Sequence, residues 1–159
     1  MELVVLAVGR LKGPEQELCE RYVGRITAIG RQLGFGRCRI VTINEGREGM
    51  PVARREAEAK ALLVKIPDRA LLIALDEQGV QMDSQAFADR LQQFREQAAP
   101  ALIFVLGGPD GHGKLLLERA ALKLSLSSLT LPHGLARVLC CEQIYRALTI
   151  LANHPYHRQ

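Results

Sequence analysis

The sequence predicts an α/β protein in which a parallel sheet is flanked by helices, and three observations carry that reading. Four short segments are continuously apolar rather than alternating. Helical stretches of suitable length lie between them, and those stretches open on residues that start helices. A strand that is apolar at every position is buried on both faces, the condition of a parallel sheet covered by helices.

The strand candidates are 3–8, 38–43, 70–75 and 101–106, each rich in Val, Ile or Leu. Helices are expected over 14–29, 51–66 and 83–97. The first two open on Pro14 and Pro51, whose fixed φ and missing N–H suit a first helical turn. The third opens on Asp83-Ser84, residues that cap helix amino termini. This alternation predicts one layered α/β unit. Beyond Leu106 the pattern changes to a glycine-dense loop, Gly107-Gly108-Pro109-Asp110-Gly111-His112-Gly113. A helix is expected over about 114–124, followed by the hydroxyl-rich Ser125-Leu126-Ser127-Ser128-Leu129-Thr130-Leu131. Pro132-His133-Gly134 breaks the chain before a long helix, 135–152, and a polar tail runs from Asn153 to Gln159. Repeats, low-complexity tracts and linkers are absent from the sequence, so a single domain, 1–159, is expected.

The 159 residues suffice for one core, and 48% apolar with 24% charged residues is the balance of an ordinary globular chain. No stretch approaches the roughly 18 consecutive apolar residues of a membrane helix. Met1-Glu2-Leu3-Val4-Val5-Leu6-Ala7-Val8-Gly9 lacks the basic start and apolar core of a signal peptide, so a cytoplasmic protein without membrane partners is expected. Cys19 and Cys38 stand alone and Cys140-Cys141 are adjacent, without the C-x-x-C spacing of zinc or redox sites. They are expected to be small buried hydrophobes, with no metal. The net charge of +4 permits an anionic partner without demanding one. From Gly134 to Gln159 only Glu142 opposes Arg137, Arg146 and Arg158, and a second basic cluster runs from Arg10 to Arg55. These are candidate phosphate contacts, though a solvated charged face explains most of them equally well.

Gly108 to Lys114 satisfies G-x-x-x-x-G-K, the first seven positions of a phosphate-binding P-loop. The eighth position needs a hydroxyl for magnesium, and here it is Leu115. Pro109 removes a backbone donor that such a loop uses. Nucleotide triphosphate binding is therefore set aside. A glycine loop at the carboxyl end of a parallel strand is still a natural ligand position, and side-chain-free Gly107 and Gly108 would let a ligand approach the backbone.

Read end to end, the chain resembles the small SPOUT (α/β-knot) methyltransferases, specifically the family that methylates N3 of a pseudouridine in large-subunit 23S rRNA. The residues that carry the likeness are Leu6-Ala7-Val8-Gly9, Ala74-Leu75-Asp76 and Leu106-Gly107-Gly108-Pro109-Asp110-Gly111. They continue with Ser125 through His133, Arg137-Val138, Glu142-Gln143-Ile144-Tyr145-Arg146-Ala147 and Asn153-His154-Pro155-Tyr156-His157-Arg158. The blocks cover the whole chain in order and spacing.

That resemblance implies a deep trefoil knot in the region of about 70–159, which periodicity could not reveal because knots are very rare. It implies a homodimer in which the partner completes each cofactor site. It implies S-adenosylmethionine held by Leu75, by Gly107 and Gly108, and by Leu126, Ser127, Ser128, Leu129, Thr130 and Leu131. The matched tail, Tyr156, His157 and Arg158, is expected at the active site, with His157 the candidate to take the ring proton. His133, Arg137, Arg146 and His154 are expected to face RNA, Arg137 by way of a phosphate. Glu142 and Arg146 also read as a plain i,i+4 pair. With so modest a charge and no accessory domain, the expected substrate is RNA inside a ribosome rather than naked RNA. A knot protein that binds RNA without catalysis is the alternative, and it would differ in lacking cofactor affinity.

Overall fold

The computed structural model describes residues 1–157. The strands are β1 (Glu2–Val8), β2 (Cys38–Ile43), β3 (Leu71–Val80), β4 (Ala101–Leu106) and β5 (Leu122–Leu124). They form one sheet in the order β2-β1-β4-β3-β5, and every neighbouring pair is parallel. The helices are α1 (Pro14–Gly30), α2 (Pro51–Leu63), α3 (Ser84–Glu96), α4 (Lys114–Arg119) and α5 (His133–Leu151).

Side chains alternate across a strand, and the sheet therefore builds two cores. Leu3, Val5, Ala7, Ile73, Leu102 and Phe104 face a layer from α1, α3 and α5 that includes Ile26, Phe87, Leu91, Ile144 and Leu148. Val4, Leu6, Val8, Leu72, Ile103 and Val105 face Ala59 and Leu62 of α2 and Leu116 of α4. Burying one such Leu or Phe is worth about 1.5–3 kcal/mol. The exposed Lys114–Glu118 pair, 3.6 Å apart, belongs to a class worth roughly 0.3–0.5 kcal/mol. The apolar layers therefore decide the fold. All four cysteines are buried thiols, and burial pushes Cys38 up to about 12.

The first three helices begin as their sequence signals require. Pro14 and Pro51 lie in the first turns of α1 and α2, and the Asp83 Oδ1 accepts from the Ala86 N–H at 2.7 Å. Two expectations are corrected. The helix expected to reach residue 124 ends at Arg119, and Leu122–Leu124 is a strand instead. Ala120 is extended, the Ala121 N–H donates to the Leu72 carbonyl, and Arg119 donates to the carbonyls of Asp68 and Ala70. Those bonds dock the segment on the open edge of β3. Second, β3 continues past residue 75 to Val80 through a register shift in which Leu75 and Val80 both pair with Leu124. The intervening bulge turns on Asp76, whose Oδ1 accepts from the Gln78 N–H at 2.8 Å. It closes at Gly79, where an added Cβ would lie 2.7 Å from the Leu124 backbone.

Gly79→Ala therefore forces β5 away from β3. It is expected to cost roughly 1–3 kcal/mol, read as a lower urea midpoint with an unchanged denaturant slope.

Candidate functional site

The carboxyl ends of β3, β4 and β5 and the loops that leave them enclose a cleft of about 790 Å³. One wall is Leu75 with the bulge residues Asp76, Glu77 and Gln78. A second is Leu106 with Gly107 through His112, and a third is Leu124 through Ser127 with Leu129, Thr130 and Leu131. Arg55, Leu117, His133 and Ala136 complete the lining. The structure thus brings Leu75, Gly107, Gly108, Leu126, Ser127, Leu129, Thr130 and Leu131 to one cavity. Ser128 is not among its lining residues. Two hydroxyls of the third loop serve the loop itself: Ser125 donates to the Ser127 carbonyl and the Ser127 hydroxyl accepts from the Leu129 N–H, each at 2.9 Å.

The two glycines have a different reason from the one expected. A Cβ on Gly107 would sit 2.8 Å from the Gly111 carbonyl oxygen, and one on Gly108 would sit 2.7 Å from Glu58 Oε2. The space is claimed from within the chain, by the loop and by α2. Two side chains of α2 bond this loop: Arg54 pairs with Asp110 at 2.6 Å, and the Glu56 carboxylate accepts from the Lys114 N–H at 2.9 Å. Glu58 packs against Gly108, while its Oε1 accepts from the Gly46 N–H of the loop after β2 at 2.8 Å. The Glu56 contact substitutes for the missing side-chain cap of α4, which begins after Gly113. Glu58 is buried, and among the described residues its second oxygen and the Arg55 Nε find no partner.

Two histidines line the cleft. His112 is buried, and its Nε2 lies 2.9 Å from the Leu75 carbonyl. Burial pulls its pKa below the ordinary 6.5, so the ring is neutral and Nε2 carries the donated proton. That bond ties the loop after β4 to β3 just before its bulge. His133 opens α5, and its Nε2 lies 2.7 Å from an Arg137 nitrogen. Burial first, and Arg137 second, pull its pKa down as well. Arg137 itself is only 2% exposed. The same nitrogen donates to the carbonyls of Val8 at 2.9 Å and Gly9 at 3.1 Å. The expectation that Arg137 meets an RNA phosphate is corrected: its guanidinium is inside, closing the end of β1.

The tail lies elsewhere on α5. Asn153 adopts a left-handed conformation (φ 51°), and the His154 N–H returns to the Thr149 carbonyl at 2.8 Å, the pattern of a Schellman cap. The chain then folds back over α5. Tyr156 stacks edge-on against Tyr145 at 4.7 Å, and its hydroxyl donates to Glu142 at 3.1 Å. The Glu142 carboxylate also takes Arg146 at 2.6 Å, and that guanidinium lies 5.1 Å from the Tyr156 ring centre. Contact with Tyr22, then burial and Glu142, push the Tyr156 phenol well above its usual value. His154 lines a separate groove beside Arg25 and Tyr145. Within one protomer, therefore, neither Arg146, His154, Tyr156 nor His157 lines the cleft. Arg158 lies outside the described residues.

The structure adds Arg55, the bulge 76–78, Asp110, His112 and Glu58 to the site residues named from the sequence. Arg55 stood there only as the end of a basic cluster, Asp110 and His112 only as members of the glycine loop, and Glu58 left a signal as a carboxylate on the face of α2 that otherwise buries Ala59 and Leu62.

Residues 1–157 match the family model described as "Predicted SPOUT methyltransferase". Proteins named Ribosomal RNA large subunit methyltransferase H are similar over their full length. Those of Rhodopseudomonas palustris and Nitrobacter hamburgensis are each 48% identical over 159 residues, covering 99% of both chains. That of Methylobacterium radiotolerans is 49% identical over 160 residues, covering 99% of this chain and 98% of its own. A crystal structure of a probable methyltransferase from Bordetella pertussis superposes with a TM-score of 0.51 at 17% identity, over 92% of this chain and 95% of that one, a likeness of fold.

Two outcomes follow from the site's packing. Gly108→Ala is expected to cost roughly 1–3 kcal/mol, and distinctly less in a Glu58→Ala background, so that a double-mutant cycle returns a coupling. Because His112 and His133 titrate lower folded than the 6.5 of a free ring, the stability they contribute is complete above pH 6.5. It is lost as pH falls through their folded values. Urea midpoints should therefore drop as pH falls below the 6.5 of a free ring, and less steeply in His112→Phe.

Proposed function

Because the chain belongs to the SPOUT methyltransferase family, we propose that it methylates N3 of a pseudouridine in 23S rRNA, using S-adenosylmethionine, as a homodimer acting on the ribosome in the cytoplasm. The observation that carries this reading is the convergence of three strand-end loops on one cleft, in a chain nearly half identical over its whole length to large-subunit rRNA methyltransferases. We infer with it one domain over 1–159 and a knot in the region of about 70–159.

The cleft suits such a cofactor. Its volume falls in the range of roughly 300–1,000 Å³ common for small-molecule sites. Leu75, Leu106, Leu117, Leu124, Leu126 and Leu131 supply apolar walls for a purine, and the loop backbones supply donors and acceptors. Leu75, Gly107, Gly108, Leu126, Ser127, Leu129, Thr130 and Leu131 would hold it, with Ser128 shaping the third loop. S-adenosylmethionine brings a methyl group already activated by the sulfonium charge. The protein's task is then to hold the ring nitrogen in line, an effect worth roughly 7–11 kcal/mol at best, and to receive the nitrogen's proton.

The tail explains why two chains are needed. Neither Tyr156 nor His157 lines the cleft of its own protomer, so in this reading they serve the partner's cleft, with Arg158. Leu18 of α1 and Leu135 and Leu139 of α5 stand exposed, apolar surface that a second copy would cover. The phenol of Tyr156 is held protonated by its neighbours and acts as a donor or stacking ring. That leaves His157 to accept the proton and Arg158 to stabilise the anionic base. His133, Arg146 and His154 are the candidates to face RNA.

Mixed dimers test the composite site. Leu126→Arg, which fills the cleft, and His157→Ala should each abolish methylation of ribosomes. Random mixing of the two should restore about a quarter of wild-type activity, since about half the dimers then carry one intact site. No recovery on mixing would overturn the shared site. The modified position is read by mass spectrometry of rRNA from a deletion strain, and unchanged pseudouridine methylation there would overturn the substrate.

A further inference from the structure

Arg137 raises a question that closing the end of β1 does not answer. Two carbonyl groups need only a neutral donor, yet the structure keeps a full positive charge there at 2% exposure. Among the described residues no carboxylate pairs with it, and its Nε is buried without a partner. Burying a charge in this way is costly, and its remaining contact is His133.

A guanidinium has donors and no acceptor. The Arg137 nitrogen has two hydrogens for three neighbours; the shortest contact, 2.7 Å, takes the lone pair of His133 Nε2, the two carbonyls share the other hydrogen, and the proton of the neutral ring is left on Nδ1. The groups that face this ring are Arg137 on α5, the Val8 carbonyl on β1, Glu45 in the loop after β2, and Glu58 on α2. The carbonyl and the carboxylates favour protonation, but burial and Arg137 outweigh them. His112, across the same cleft, is the opposite case: its Nε2–H is given to Leu75 and its unpartnered lone pair sits on Nδ1. The cleft thus holds two neutral imidazoles in opposite tautomers.

We propose that Arg137 is a positioning residue that locks His133 as the neutral Nδ1–H tautomer, so that α5 presents a hydrogen-bond donor to the cleft and neither a base nor a cation. The matching group on the occupant is an oxygen acceptor. On the methyl-transfer reading it is either the carboxylate of the methyl donor or a carbonyl of the target base, whose oxygen gains charge when the adjacent ring nitrogen is deprotonated. A preformed neutral donor suits such an oxygen. His133 keeps its proton throughout, and the proton of the base leaves by another group.

Nitrogen-15 NMR of the imidazoles in the ligand-free protein tests the lock independently of activity. Wild type should show His133 protonated at Nδ1, with a pKa below 6.5. Arg137→Gln keeps a donor and removes the charge, and it should raise that pKa. An Nε2–H ring in wild type, or an unmoved pKa in Arg137→Gln, would overturn the proposal. Should the variant not fold, the wild-type tautomer decides alone. Adding S-adenosylhomocysteine and then a pseudouridine hairpin identifies the acceptor. A His133 Nδ1 shift with the first assigns the carboxylate, a shift only with the second assigns the base, and none with either defeats the donor role. A protein that binds no S-adenosylhomocysteine by calorimetry would count against the methyl-transfer reading while leaving the tautomer result intact.

Discussion

The end of β1 is closed by a guanidinium that, among the described residues, has no counter-ion. β1 lies between β2 and β4, and every backbone group at its carboxyl end must be satisfied where the chain leaves the sheet. Arg137 meets two of those carbonyls from the second turn of α5, and the same nitrogen holds His133 at the helix start. One side chain thereby fixes the first turns of α5 relative to the sheet. α5 then packs along α1 and α3 through Ile144, Ala147 and Leu148. The direction of this helix decides both where the cleft begins and where the tail is released.

Much of this was legible in the sequence. β1, β4 and the first half of β3 announced themselves because burial on both faces leaves no room for alternation, whereas β2, at the sheet edge, is apolar but only partly buried. The cleft loops were legible because ligand sites gather at strand carboxyl ends. What stayed hidden depends on contacts between segments far apart in the chain. β5 is three residues long, and Leu122-Lys123-Leu124 has no period by which to tell strand from helix. The continuation of β3 passes through Asp76-Glu77-Gln78, which reads as a loop. Arg137 looked like a phosphate contact because charge in a sequence carries no sign of burial, and only the carbonyls of Val8 and Gly9, 129 and 128 residues away, explain it.

The tail shows how a local rule sets a long-range relation. Asn153 tolerates a left-handed backbone better than most residues, and the Schellman cap it allows turns the chain onto the tyrosines of α1 and α5. Tyr156 then shares Glu142 with Arg146. The tail is thus organised by its own helix, on a side of α5 that does not line its own cleft.

The grip of α2 on the glycine loop has a consequence for binding thermodynamics. Arg54, Glu56 and Glu58 brace residues 108–114 from behind, and His112 ties them to Leu75 in front. A loop shaped by its own packing does not have to be ordered by whatever enters the cleft. The entropy that flexible glycines would otherwise surrender at each encounter is lost once, during folding, and affinity is set by contacts rather than by the cost of closure.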